Sequence, residues 1–553
     1  MIIVYFLPLI LIDAFAYGMS CGDIKPLAFP ITDIQILSDN PQSLTKGVLA
    51  GIGTPPQNIA VLPWPELNNT WIYDQQPFCD PSIIFNSVIC RIRRGNLYSE
   101  VDSSSYRKED DIPSVGGASV ETQGQGAELG IGQLLRTSVA VQDRLSIGPT
   151  RIAEAFPFGV PRLSWDHGYT INHAMGLGSN STLLNTLVQA GQIGSRVWSI
   201  FWGRMWVDPE DAMDGTLVLG GYDSQKVISK NYTQPLDFSN ATGCWTGMKV
   251  HISGVQLNAR TGDNVELLPP NTAIATCLVP QRQLLLEGPG VIVENFENST
   301  GMSSIGRSFG LHWSSYLYEN TDIFDGDMTI SLSSGLDVRI PNSQYLVPYV
   351  DVDRNGTRIF NTSRREFLFN GVGDNPSTLG RYFLTGAYLM VDHDAGTFTM
   401  WAANPTPEST LVSVVPTGST TSMRTDCGNA NGTDPSPDGH GPATDKGAAP
   451  MNNGAILSPG SIAGIAIGAV AALAIIGVGA YFLYKRKRRD KMGSTGPVDV
   501  SPVEKYGHEQ YWHEVPAQTS RYALPAELDG GIRPELTADE RHLPVHTSRI
   551  YEM

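Results

Sequence analysis

Along most of the chain, short runs of β-branched and aromatic residues alternate with Gly, Pro and Asn, and long amphipathic helical repeats are rare. Between about Gly22 and Asn404 this pattern predicts many short strands, of which Val197–Trp202 and Thr329–Ser333 are examples. One stretch departs from it. Leu183, Leu184, Leu187 and Val188 recur at helical spacing, so a helix is expected over Thr182–Ala190, stopped at Gly191. Two apolar runs have a different character. Ile2–Ile12 is short, has no Lys or Arg before it, and leads into the small-x-small triplet Ala14-Phe15-Ala16; residues 1–16 are expected to be a signal peptide. Ser461–Tyr484 carries no charge and is long enough to cross a hydrocarbon core of ~30 Å, which predicts a transmembrane helix over 461–484. Lys485-Arg486-Lys487-Arg488-Arg489 follows at once, and the excess of positive charge on cytoplasmic flanks places 485–553 inside the cell. That tail is polar and Pro-punctuated, and it is expected to be disordered. Residues 405–460 are rich in Pro, Ser, Thr and Gly without apolar periodicity and read as a stalk.

Composition narrows the class. The 57 Gly and 37 Pro fit turns and strands and exclude helical bundles and coiled coils. Lys and Arg total 38 against 55 Asp and Glu, a net charge of −17, so no nucleic acid is expected as partner. Sequons occur at Asn68, Asn180, Asn231, Asn240, Asn298, Asn355, Asn361 and Asn431, all before the membrane segment, and the tail contains no Asn. This one-sided placement predicts a glycosylated ectodomain on a single-pass protein of the cell membrane, N-terminus outside. Gly460, Gly464 and Gly468 recur at four-residue spacing where the membrane helix begins, a pattern that lets two helices approach closely as a homodimer. Six cysteines are too few for a disulfide scaffold. The tail histidines His508, His513, His542 and His546 read as solvated rather than as ligands, and neither metal nor cofactor is expected.

Four ordered stretches resemble the pepsin-like aspartic peptidase family. Gly51-Ile52-Gly53-Thr54-Pro55-Pro56-Gln57 looks like the strand and turn before that family's first catalytic loop. Ala174-Met175-Gly176-Leu177-Gly178 with Gly191-Gln192-Ile193 looks like its Gly-Leu-Gly segment and the helix end after it. Gly215-Thr216-Leu217-Val218-Leu219-Gly220-Gly221-Tyr222-Asp223 resembles the hinge between its lobes. Leu379-Gly380, Phe383-Leu384, Ala387-Tyr388 and Asp392 resemble a late strand of its second lobe. The resemblance covers about Phe29–Ala402 and implies an all-β, bilobal fold with few short helices. An ectodomain over 17–404 would then comprise an N-lobe of about 17–220 and a C-lobe of about 221–404. The anchored architecture is similar to that of fungal surface proteins.

The chemistry of that family needs two carboxylates, one on a loop from each lobe, close enough to share a proton. In the family a Trp follows the first catalytic Asp by seven positions; Trp71 in that role puts Trp64 at the Asp position, within Trp64-Pro65-Glu66. In the second lobe Thr276-Cys277-Leu278 stands where the other triplet belongs. Slippage of the alignment does not restore a pair: Glu66 is the one carboxylate from Ile59 to Ile72, and Leu267–Leu286 contains none. The flap tyrosine of the family is replaced by Gln123, before Gly124-Gln125-Gly126. These substitutions predict a pseudoenzyme with no catalytic residues. Trp64, Glu66, Gln123, Gly124, Gly126 and Thr276 are then candidates for a cleft that holds an extended peptide or protein ligand. Trp64 either plugs the cleft floor or offers a stacking surface. The alternatives are a peptidase with displaced catalytic groups and a purely structural spacer. By the same resemblance a small disulfide Cys79–Cys90 is implied, with Cys244–Cys277 as a second pair, and Cys21 and Cys427 are left to bond each other or another chain.

Overall fold

The computed structural model describes residues 24–75, 84, 86–119, 138–161, 173–205, 211–239, 243–373 and 376–415. Alternation of inward and outward side chains builds the strands. In Gly326–Leu332, for example, Met328, Ile330 and Leu332 point inward while Asp327, Thr329 and Ser331 do not. Among the described residues twelve strands form one sheet. Its main path runs Val227–Pro235, Thr397–Ala403, Ala387–Asp392, Val197–Arg204, Met213–Leu219, Leu27–Gln35, Leu44–Ile52, Gln57–Trp64, His173–Gly176. The hairpin Val139–Ile147 and Thr150–Val160 hangs from Leu44–Ile52. The path carries strands from both halves of the sequence, because Val197–Arg204 bonds Met213–Leu219 on one side and Ala387–Asp392 on the other. A second sheet, of eight strands, holds Lys249–Ala259, Ile274–Leu278, Gly326–Leu332 and Ser377–Leu379. A third, of four, is centred on Tyr316–Glu319 and Arg358–Phe367. The fold is mainly β and bilobal, and one continuous apolar cluster runs through it.

Three helices are present among the described residues. Thr182–Gln189 is the helix its leucines predict, with the Ser181 hydroxyl capping Leu184 N. Ser87–Arg94 is absent from the apolar pattern because it buries arginines: Arg93 and Arg94 are both inside. Its ends nonetheless carry standard signals, Asn86 accepting from Val88 N and Ile89 N, and Gly95 in the left-handed region at φ 77°. The third helix, Val291–Thr300, lies between Gly290 and Gly301.

The lobes are clasped by buried arginines. Arg358 donates to both carboxylate oxygens of Asp33, each at 2.7 Å, across 325 positions of sequence. Arg93 Nη2 donates to the carbonyls of Phe309 and Gly310. Burial alone would raise the Asp33 carboxyl, but the Arg358 guanidinium and, further off, Lys46 more than offset it and hold the pKa below its ordinary 3.8. The pair is asymmetric: the Arg358 side chain is 5% exposed, that of Asp33 40%. Asp33→Asn strands a buried cation and is expected to cost ~3 kcal/mol. Arg358→Met leaves a carboxylate that water still reaches and should cost only about 1 kcal/mol. Denaturant unfolding of the two variants near pH 7 measures the difference, and equal losses would contradict it.

Candidate functional site

The same backbone device is built once in each lobe. In the first, Gln57–Trp64 lies parallel to His173–Gly176, with Trp64 opposite Gly176. The chain then loops back under that strand: Leu177 N donates to Trp64 O at 3.0 Å, Gly178 N to Leu67 O at 2.8 Å, and Trp71 N to Ala174 O at 2.9 Å. A Cβ on Gly176 would stand 2.2 Å from Asn69 O, and one on Gly178 2.4 Å from Asn68 Oδ1, so the Gly-Leu-Gly motif exists to let the loop pass. In the second lobe Ile274–Leu278 lies parallel to Ser377–Leu379. Val279 N donates to Leu379 O at 2.9 Å, and Gly380 N to Leu285 O at 3.1 Å. A Cβ on Gly380 would meet Leu284 O at 2.2 Å. Each lobe thus presents one loop, held by backbone bonds, at the junction between them.

The side chains on those loops differ from a pair of acids. Glu66 and Gln281 are both buried, and Gln281 Nε2 donates to Glu66 Oε1 at 3.0 Å, joining the lobes across 215 positions. The Gln281 carbonyl in turn accepts from Arg381 Nη2 at 2.6 Å. Trp64 is 2% exposed and belongs to the continuous apolar core. The Thr276 hydroxyl donates within its own strand, to Ile274 O at 3.2 Å. Of the cleft candidates read from sequence, the structure therefore brings Glu66 to the lobe junction and buries Trp64 and Thr276. Gln123, Gly124 and Gly126 lie outside the described residues. Gln281 is the residue that sequence reading missed; its one signal was its place in the carboxylate-free stretch Leu267–Leu286. Chemically, the junction holds an acceptor and an amide, and an amide has no proton that titrates in water.

A buried imidazole braces the first loop. Tyr73 N donates to His173 Nδ1 at 2.9 Å, and His173 Nε2 faces the Asn96 carbonyl at 2.9 Å, an arrangement that fits the neutral tautomer protonated at Nε2. Burial pulls this imidazole down to about 3, only partly countered by the Asn96 carbonyl, and the Arg94 charge lowers it further.

The remaining candidates divide by location. Asn180, Asn231, Asn298, Asn355 and Asn361 are exposed. Asn68 is buried, its Oδ1 accepting from Asn180 N at 2.9 Å, so a glycan there has no room in the folded domain. Asn240 and Asn431 lie outside the described residues. Cys244 and Cys277 are disulfide-bonded, with Cα atoms 5.4 Å apart. Cys90 is also disulfide-bonded, while Cys79, Cys21 and Cys427 lie outside the described residues. So do the signal peptide, most of the stalk, the tail, the span 461–484 and Gly460, Gly464 and Gly468. Among the described residues no helix is long and apolar enough to cross a membrane, and no group of three or more His, Cys, Asp or Glu is placed to hold a metal ion.

Two lobes on a shared sheet, each offering one glycine-threaded loop at their junction, define the architecture of an aspartic peptidase. Residues 49–400 match the sequence profile of the eukaryotic aspartyl proteases, well over half of the chain, and the protein belongs to that family. No curated protein matches the chain.

Two outcomes follow. Trp64→Ala removes a core indole and should cost ~3–5 kcal/mol, read as a lowered melting temperature; an unchanged melting temperature would mean that Trp64 is not core. Between pH 6.5 and about 3 the unfolded chain binds a proton at His173 that the folded chain refuses, so stability falls as pH falls, by at most ~1.4 kcal/mol per unit. Denaturant unfolding at pH 7, 6 and 5 should therefore give a steeper loss for the natural chain than for His173→Gln, and parallel slopes would refute the assignment.

Proposed function

We propose that this protein is a catalytically silent member of its family, held at the cell surface by one membrane helix, that recognises a peptide or protein without cutting it. The observation that carries this reading is the Glu66–Gln281 hydrogen bond. Peptide hydrolysis by this fold uses two carboxylates that share one proton, one polarising the scissile carbonyl while the other activates water. Here the carboxylate of one lobe receives a hydrogen bond from an amide of the other, and the amide cannot act as an acid. The sequence supports the setting: an uncharged span at 461–484 followed by Lys485–Arg489, and sequons confined to the other side of it. Among the described residues, Asn180, Asn231, Asn298, Asn355 and Asn361 are exposed.

Burial of Trp64 favours a second reading, a glycosylated spacer whose cleft floor is filled. The two are separable. Panning a random peptide library against the purified chain should enrich one extended motif; failure to enrich any motif favours the spacer.

The purified chain should cleave no denatured protein between pH 2 and 7, and a peptide mimic of the tetrahedral transition state should not bind. Cleavage abolished by Glu66→Gln would overturn the silent reading.

A further inference from the structure

A second feature is a partly open chamber of ≈ 40 Å³ between the lobes. One water needs at least about 10–15 Å³ by this measure, so the chamber has room for about three, close to the size of a small tetrahedral ion. Its walls carry Lys46, Arg93, Arg358, Arg381 and His312, with the Trp202 indole between Lys46 and Arg381. No carboxylate lines it among the described residues. The acids that face these side chains stand behind the wall: Asp33 on Arg358, Asp351 at 3.7 Å from Arg93, and Glu366 at 2.6 Å from His312 Nδ1. Glu66 and Gln281, whose pairing carries the functional reading above, do not line the chamber either.

Arg93 retains unused capacity for an acceptor, and Arg381 donates to neutral acceptors. Arg93 is 3% exposed; its Nη2 bonds two carbonyls, yet its Nε and Nη1 are buried with no hydrogen-bond partner among the described residues. Arg381 gives Nε to Arg282 O and Nη2 to Gln281 O, both neutral carbonyls, so these bonds leave its charge uncompensated. Arg93 has Asp351 on one side only, and Arg381 has neutral partners only; a buried cation with unsatisfied donors is costly, and structures normally supply a partner.

We propose that this chamber binds one inorganic tetrahedral oxyanion, phosphate or sulfate, which bridges the two lobes. Lys46 and Arg93 come from the strand Leu44–Ile52 and the helix Ser87–Arg94, whereas Arg358 and Arg381 come from the second lobe, so the ion accepts from both sides at once. Charge-assisted bonds to oxyanions are among the strongest in proteins, and planar guanidinium groups suit them geometrically. The chamber's size excludes a nucleotide, a sugar phosphate or a lipid headgroup with its tail. Burial draws the Lys46 ammonium down to about 8, against the opposing charges of Asp33 and Asp214, and the Arg381 guanidinium down to about 10.

Equilibrium dialysis of the full-length chain against radiolabelled phosphate, and separately sulfate, tests this at ionic strength held constant with chloride. The expected result is saturable binding of one ion per chain by at least one of them. A melting temperature that rises with that ion but not with equivalent chloride is expected too. Arg93→Met and Arg381→Met should each weaken binding tenfold or more, whereas Arg260→Met, at an exposed ion pair, should leave it unchanged. Absence of saturable binding of either ion to the natural chain would overturn the proposal whatever the variants do. Binding that persists unchanged in both chamber variants, or falls equally with Arg260→Met, would overturn it as well.

Discussion

The strand Val197–Arg204 fixes the relation of the two lobes, and much of the molecule depends on it. Its ladder to Met213–Leu219 belongs to the first half of the chain and its ladder to Ala387–Asp392 to the last strands of the second. A shared sheet has no edge at the lobe boundary, so the lobes meet in one geometry. Side chains at that boundary are then trapped rather than displayed. This is why Glu66 and Gln281 meet while buried, and why Arg93, Arg358 and Arg381 are drawn inside.

Buried arginine is the recurring solution on this boundary. Arg94 is wholly inside, with its guanidinium carbon 4.0 Å from the centre of the Tyr73 ring. Arg93 and Arg381 spend donors on carbonyls of turns that no strand satisfies, and so complete backbone bonding where the sheets end. A lysine could not do this at several points at once, because its donors share one nitrogen whereas the guanidinium spreads five in a fork. Burial still penalises the charge on this wall, drawing Lys46 down to about 8 and Arg381 down to about 10.

The parts of this arrangement that were legible in the sequence are those enforced by backbone sterics or apolar periodicity. Gly176-Leu177-Gly178 and Leu379-Gly380 are readable because no residue with a side chain lets the loops pass at 2.2–2.4 Å. The helix Thr182–Gln189 is readable from its leucines, and Cys244–Cys277 from the placement of both cysteines within the expected C-lobe. The helix Ser87–Arg94 was not, since a pattern that assigns arginines to solvent cannot see a helix that buries two of them, although Asn86 and Gly95 marked its ends. The contact of Gln281 with Glu66 was not legible either. Neither residue type announces a partner, and only the closing of two loops 215 positions apart brings them together. Asn68 illustrates the converse: its sequon is complete, but the loop it stabilises is internal.

The floor between the lobes can change chemistry without changing fold because its loops are held through main-chain atoms. Trp64 O, Leu67 O and Leu285 O accept the bonds that fix them, and none of these depends on the side chain at that position. A pair of acids at such a place stores electrostatic repulsion, since two carboxylates at contact distance cannot both ionise. A carboxylate facing an amide stores none, and a buried indole beside it adds apolar contact where a working site needs space for water. Both features belong to a packed floor, and the glycines that shape its loops stand beside them. Loops anchored through the backbone leave the side chains of the floor free to vary, which is how the family match over residues 49–400 and a buried Glu66–Gln281 pair fit in one fold.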